Sequence, residues 1–229
     1  MKIRIGSRGS DLALWQANFV KDQMEKLGHT VAIQIIITKG DRIQDLSFDK
    51  IEGKGFFTKE IEEALLRNEI DLAVHSHKDL ETTNPEGLMI GAVSYRENPA
   101  DLLLIRESSF DSNQPFQLKK NAIIGTSAAR RKSQLLRLRP DCEIKDLRGN
   151  VPTRIQKLRD GQYDAIVLAA AGVYRLALDL SDFVEVEFST KDFIPAPAQG
   201  VLALQIREVD AALREVLSSI NHTDVAEEI

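Results

Sequence analysis

The sequence predicts an α/β protein of two lobes with mainly parallel sheets. Three observations lead there. Short apolar runs alternate with stretches of helical period, which is the pattern of βαβ units. Polar turns rich in Gly, Ser and Arg recur where the apolar runs stop, and parallel sheets gather their ligands at those carboxyl ends. Two punctuated linkers, Arg96-Glu97-Asn98-Pro99 and Ile194-Pro195-Ala196-Pro197-Ala198-Gln199-Gly200, interrupt the chain. They divide it into a first domain of residues 1–95 plus 200–229 and an inserted second domain of residues 96–199, with a cleft expected between the two.

The elements follow in order. Residues 2–6 alternate as a strand, and Ser7-Arg8-Gly9-Ser10 turns into a helix over 11–27 that Ser10 caps, with Leu12, Trp15, Phe19 and Gln23 on its apolar stripe. Residues 31–38 form a β-branched strand. The polar segment 39–57, with its three glycines, reads as a mobile flap carrying Lys50, Lys54 and Phe57. A helix over 58–68 and a strand over 70–75 lead into His75-Ser76-His77-Lys78-Asp79, and 88–93 is a further strand. After the first linker come strands near 102–105 and 121–124, a helix over 128–138, a strand ending at Asp146-Leu147 and a helix from Thr153. Residues 163–169 make a strand and 170–178 a helix. Beyond the second linker, where proline forbids regular structure and Gly200 permits a tight turn, 201–206 is a strand and 208–219 a helix.

Charge singles out one window. Residues 125–159 hold ten Lys and Arg against three acids, a balance of +7 in a chain of −5, which leaves −12 for the rest. Like charges repel, so such an island calls for an anion among them. The local order of strand, small-residue turn and helix start supplies free N–H groups and a favourable dipole for one, at Gly125-Thr126-Ser127 and again at Arg148-Gly149-Asn150. Arginine suits bidentate binding of carboxylates, and Arg130, Arg131, Arg148 and Arg154 are the candidates. Arg137, Arg139, Lys157 and Arg159 read as solvated helix faces. A net acidic chain with no aromatic residues in this window argues against nucleic acid.

Composition sets the class. With 229 residues, 43% hydrophobic and 28% charged, the chain is an ordinary globular protein. Its single cysteine, Cys142, allows no internal disulfide and no cysteine-based metal cluster, and fits a reducing compartment. Acidic neighbours raise its thiol pKa, so it reads as structural. No signal peptide or membrane-spanning run is apparent, and a cytoplasmic location is expected. His75 and His77 lack a third ligand nearby, so no metal site is expected.

Seven motifs in order carry a family resemblance: Arg8-Gly9-Ser10-Asp11-Leu12-Ala13-Leu14-Trp15-Gln16, Gly53-Lys54-Gly55-Phe56-Phe57-Thr58-Lys59-Glu60, His75-Ser76-His77-Lys78-Asp79, Gly125-Thr126-Ser127-Ala128-Ala129-Arg130-Arg131, Leu147-Arg148-Gly149-Asn150-Val151-Pro152-Thr153-Arg154, Ala171-Gly172-Val173-Tyr174-Arg175-Leu176 and Pro197-Ala198-Gln199-Gly200. Together they closely resemble the hydroxymethylbilane synthase (porphobilinogen deaminase) family. The resemblance implies two doubly wound lobes like type II periplasmic binding proteins. It implies head-to-tail joining of four porphobilinogen units, with release of ammonia, on a dipyrromethane cofactor held through a thioether. Porphobilinogen and the growing oligopyrrole would be the partners, and the protein a monomer.

By the same resemblance, Arg8, Arg130, Arg131, Arg148, Arg154 and Arg175 clamp carboxylates. Ser10, Ser76, Lys78, Thr126, Ser127 and Gly149 help to hold cofactor and substrate, Gln16 and Gln199 make secondary contacts, and Asp79 is catalytic. Asp79 is otherwise a turn or helix-capping aspartate. The family's third, C-terminal domain, which carries the cofactor cysteine, is expected to be absent, and Cys142 does not align with that cysteine. The chain by itself is then expected to be inactive. Asp11 stands where the family usually has proline, and Ala128 replaces a frequent serine. The alternative reading is a non-enzymatic two-lobed protein that binds a small anion, or an effector-sensing module; the fold alone does not separate these.

Overall fold

A computed structural model of the chain describes residues 1–42 and 57–229; Lys50 and Lys54 lie outside the described residues. Asn98–Ala196 form one compact unit, and the described residues on either side of that stretch form the other. The first unit contains β1 (Lys2–Ser7), α1 (Asp11–Lys26), β2 (Thr30–Ile35), α2 (Lys39–Arg42), α3 (Lys59–Leu66), β3 (Leu72–Ser76) and β4 (Leu88–Val93). The second contains β5 (Asp101–Arg106), β6 (Ile123–Gly125), α4 (Ala129–Leu138), β7 (Glu143–Lys145), α5 (Val151–Arg159), β8 (Ala165–Ala169), α6 (Ala170–Leu176) and β9 (Phe183–Glu187). The chain then returns to the first unit as β10 (Leu202–Arg207), α7 (Ala211–Ser218) and α8 (Thr223–Glu228).

Each unit is built on one five-stranded sheet, ordered β2-β1-β3-β10-β4 in the first and β7-β6-β8-β5-β9 in the second. The sheets are mixed rather than mainly parallel. β1 runs parallel to β2 and β3, whereas β10 is antiparallel to β3 and β4. The second sheet repeats this, with β6 parallel to β7 and β8, and β5 antiparallel to β8 and β9. Intervening helices enforce parallel pairing only between strands they connect. β5 and β10 each come directly from a linker, so nothing imposes that direction on them.

Packing explains several departures from the sequence pattern. Ser10 caps α1, its Oγ accepting from the Ala13 N–H at 3.4 Å. The buried face of α1 is Gln16, Ala17, Val20 and Met24, set against Ile3, Ile5, Val31 and Leu72. Trp15 and Phe19 lie at the border of that face, stacked 5.4 Å apart, with Tyr95 edge-on to Phe19. In the second unit Leu102, Leu103, Leu104 and Ile105 are all buried because helices and loops cover both faces of β5, so its sequence shows an unbroken apolar run. β9 has the half-exposed pattern of an edge strand, and its alternating Glu residues hid it among polar segments. The turn before β10 needs glycine: Gly200 has φ +93°, and a Cβ there would lie 2.2 Å from the Glu97 carbonyl oxygen.

Arg139 is not on a solvated face. It is 2% exposed, and its guanidinium donates to the carbonyls of Pro115, Leu118 and Lys119 at 2.7–2.9 Å and to both Asp141 oxygens at 2.8 Å. One fork thus ties the end of α4 to the loop before β6. Arg139 holds the Asp141 carboxyl well below the usual carboxylate range. Cys142 beside it is buried, and burial, helped by Asp141 and opposed by Arg139, pushes its thiol up, as a structural cysteine requires.

A second polar group sits under α3. His75 on β3 is 6% exposed, and its Nε2 has no hydrogen-bond partner among the described residues. Gln205 on β10 is also buried there, its amide donating to Glu62 on α3 at 3.2 Å and to Asn84 at 3.4 Å. Burial, with the neighbouring His77 adding to it and Gln205 opposing, lowers the His75 pKa to about 4.

Two outcomes follow. Arg139→Ala leaves three carbonyls short of a buried donor and is expected to lower the unfolding free energy by about 3 kcal/mol; a urea titration showing under about 1 kcal/mol would contradict the role assigned to the fork. Protonation of His75 occurs near 6.5 in the unfolded chain but only near 4 in the fold. Stability therefore falls as pH drops through that window, because the unfolded state binds the extra proton. His75→Gln removes this dependence, so its stability relative to wild type is expected to be constant above pH 6.5 and to improve from there to about 4. A difference independent of pH would show that His75 is not held neutral.

Candidate active site

The candidate side chains of the first unit stand at the carboxyl ends of its parallel strands. β1 runs into the Arg8-Gly9-Ser10 turn, β2 leads to Thr38 and α2, and β3 ends in a 3-10 turn over His77–Asp79. Arg8, Ser10, Gln16, Phe57, His75, Ser76 and Asp79 line a common cavity of about 90 Å³. Its apolar wall comes from Leu12, Ala13, Ile61 and Val74.

The hydrogen bonds divide these residues into engaged and available. Gln16, 3% exposed, donates from Nε2 to Ser76 Oγ at 2.9 Å, fixing α1 to the end of β3. Lys78 Nζ donates to the Gln199 Oε1 at 3.2 Å, which ties the strand end to the turn before β10. Asp79 is exposed, caps no helix and makes no hydrogen bond among the described residues. Arg8 is engaged. Its Nε donates to Asp41 Oδ1 at 3.0 Å and its Nη2 donates to the same oxygen, while Phe57 lies under the guanidinium at 4.3 Å. Burial raises the Asp41 carboxyl, but the bonds from Arg8 and Thr38 outweigh it and hold it below the usual range.

The second unit repeats the arrangement at the ends of β6, β7 and β8. Thr126 is buried, its Oγ1 accepting from the Ala128 N–H, and Ser127 Oγ both donates to the Leu147 carbonyl and accepts from the Leu147 N–H at 3.0 Å. Ser127 thereby clasps the two turns together. Gly149 has φ +114°, and its carbonyl accepts from Arg154 Nε at 2.7 Å. Arg148 and Arg154 are half-buried, and Arg175 on α6 is 7% exposed.

Arg130 and Arg131 share a carboxylate that sequence reasoning did not select. Asp101, at the start of β5, is fully buried; Arg131 donates to its Oδ1 from Nε and Nη2 at 3.1 and 2.6 Å, and Arg130 Nη2 lies 2.8 Å from its Oδ2. Arg131 also donates to the Val167 carbonyl at 3.0 Å and is 6% exposed, so it anchors α4 to β5 and β8. Arg130 keeps 26% of its side chain exposed. Two guanidiniums on one carboxylate leave a surplus positive charge, and the accessible share lies on Arg130. The signal for Asp101 was an acid heading an otherwise apolar strand; for Asp41 it was an acid just beyond the end of β2. Neither pattern is specific by itself.

Groups of three or more His, Cys, Asp or Glu side chains placed to hold a metal do not occur among the described residues, and no described helix is long and apolar enough to cross a membrane.

Comparison with known proteins gives a consistent result. The family described as "Porphobilinogen deaminase, dipyromethane cofactor binding domain" matches residues 3–215. The chain is 46% identical over 231 residues to the porphobilinogen deaminase of Pelobacter propionicus, covering 98% of this chain and 71% of the relative. It is 49% identical over 207 residues to that of Nitratiruptor sp., covering 90% of this chain and 66% of the relative. The probable porphobilinogen deaminase of Methanocaldococcus jannaschii is 46% identical over 220 residues, with 96% and 72% covered. Among solved structures, a probable amino-acid transporter extracellular-binding protein of Bacillus subtilis superposes with TM-score 0.58 at 10% identity, covering 96% of this chain and 90% of that one. An arginine-specific periplasmic binding protein of Salmonella typhimurium gives 0.53 at 11%, with 98% and 93% covered. These two show the fold alone, that of type II periplasmic binding proteins. Relatives from several organisms, matched along nearly all of this sequence, establish that the chain belongs to the porphobilinogen deaminase family.

Proposed function

We propose that this chain binds porphobilinogen and the oligopyrrole grown from it, and that it serves the transferase reaction of its family, the head-to-tail joining of four porphobilinogen units with loss of ammonia. The observation that carries this reading is the cavity in which Asp79, a carboxylate without a hydrogen-bond partner among the described residues, stands with Arg8, Ser10, Gln16 and Ser76. Porphobilinogen bears an acetate and a propionate, so each added unit brings two carboxylates. In the second unit Arg130, Arg148 and Arg154 are the proposed carboxylate partners; Arg131, bound to Asp101 and the Val167 carbonyl, holds the framework, and Arg175, also buried, contributes field.

The donor set also fits the dipyrromethane cofactor, which carries the same carboxylates and pyrrole N–H groups. In the first unit Arg8, Ser10 and Ser76 would hold it, with Lys78, Gln16 and Gln199 fixing the strand end behind them. When bound, the dipyrromethane supplies the nucleophilic pyrrole from which the chain is extended.

Loss of ammonia takes the C–N electron pair away with nitrogen and leaves a cation delocalised over the substrate pyrrole. The Asp79 carboxylate, accepting from pyrrole N–H, stabilises that charge as it develops, which lowers the barrier more than it tightens ground-state binding. Burial also lowers the pKa of His77 in the turn that carries Asp79, which keeps that neighbour neutral at ordinary pH. Phe57 forms part of the cavity wall. The protein acts as a cytoplasmic monomer.

Two measurements test the proposal. Isothermal titration with porphobilinogen is expected to show Arg130→Gln binding about 10- to 100-fold more weakly than wild type, and unchanged affinity would remove Arg130 from the carboxylate-binding set. With these two units joined to the cofactor-carrying domain of a relative, Asp79→Asn is expected to lower kcat by about 10²- to 10³-fold with little change in KM. A change confined to KM would make Asp79 a binding group only.

A further inference from the structure

Arg8 presents a carboxylate-binding edge that the protein itself already fills. The Nε/Nη2 side of a guanidinium matches a carboxylate in fork geometry. Both of those N–H groups donate to Asp41 Oδ1. Asp41 is itself held in place: its Oδ2 accepts from the Thr38 N–H at 3.0 Å and from the Thr38 hydroxyl at 2.8 Å, and Thr38 is fully buried. Lys39 and Gly40 of α2 are docked as well. Gly40 packs so closely on Phe57 that a Cβ would fall 2.1 Å from its ring, Phe57 stacks under Arg8, and the Lys39 N–H donates to Glu60 Oε1 at 3.0 Å.

We propose that Asp41 is a specificity-determining residue, an internal carboxylate that a ligand carboxylate must displace from Arg8. This rests on the reading of Arg8 as a carboxylate clamp. The physical consequence is selectivity by valence. A lone monocarboxylate meets Asp41 at the high effective concentration of an intramolecular partner and loses the exchange. A polycarboxylate already held by other arginines presents its next carboxylate at a comparable effective concentration and can win it. Asp41 thus discounts Arg8 against the small organic acids of a cell while leaving it usable by an oligopyrrole. It also keeps a half-buried guanidinium paired until that ligand arrives, which avoids an isolated charge in the cavity.

The test follows the Nε–Hε nuclear magnetic resonance signal of Arg8, assigned by its loss in Arg8→Gln, while acetate or porphobilinogen is added to wild type, Asp41→Asn and Thr38→Val. Acetate is expected to move the signal in Asp41→Asn with an apparent Kd about tenfold below wild type. Thr38→Val, which keeps the shape but frees Asp41 Oδ2 from the hydroxyl, is expected to fall between them. Porphobilinogen is expected to gain less than acetate from either change. Equal or weaker acetate binding in both variants overturns the proposal and makes Asp41 a residue that merely orients Arg8. If acetate behaves as expected but porphobilinogen moves the signal in no protein, the competition stands and the substrate assigned to this site falls.

Discussion

A buried carboxylate shared by two arginines holds the second unit's charged face together. Asp101 has no exposed surface, and it heads β5, the strand on which β8 and β9 both pair. A charge in that position is tolerable only when paired, and removing one partner of such a pair typically costs about 3–5 kcal/mol. Arg131 satisfies Asp101 from inside, and Arg130 reaches it from the rim. The carboxylate therefore fixes both the start of α4 and the direction of a guanidinium that remains partly in solvent. The cationic island is not a loose patch; Asp101, outside it in sequence, fixes two of its arginines.

The first unit solves the same problem differently. Arg8 has its acid on α2, near the surface and held through a threonine. A buried partner gives a permanent clamp, whereas a shallow one can be exchanged. Both units place these pairs at the carboxyl ends of parallel strands, where helix starts and turns leave N–H groups directed outward. The antiparallel strands β5 and β10 carry no ligand-facing turns of that kind; they complete each sheet and bring the linkers in. Gly200, pressed against the Glu97 carbonyl, marks where the two crossings pass each other closely enough to exclude any side chain.

Much of this was legible from the residues. Alternating apolar runs and helical stripes located most elements, because burial on one face writes a period into the sequence. The +7 window marked a segment whose charges need partners, because charge of one sign accumulates at a cost. What the sequence hid were the buried charges. Arg131 and Arg139 occupy helix positions whose spacing looks solvated, yet their forks turn inward to Asp101 and to three carbonyls. Trp15 and Phe19 promised a core stripe and instead form its edge with Tyr95, since the smaller Ala17, Val20 and Met24 allow α1 to approach the sheet. Asp41 and Asp101 were invisible because a lone acid acquires meaning only from the arginine it meets in space.

The central claim is that Arg8 holds a carboxylate of a pyrrole substrate while Asp79, in the same cavity, faces its ring nitrogen. A crystal structure of the chain soaked with porphobilinogen tests this most directly. The account predicts a substrate carboxylate oxygen within about 3 Å of the Arg8 guanidinium nitrogens and the pyrrole nitrogen at a similar distance from Asp79. Porphobilinogen bound with its carboxylates on other groups, and Asp79 turned to solvent, would contradict it.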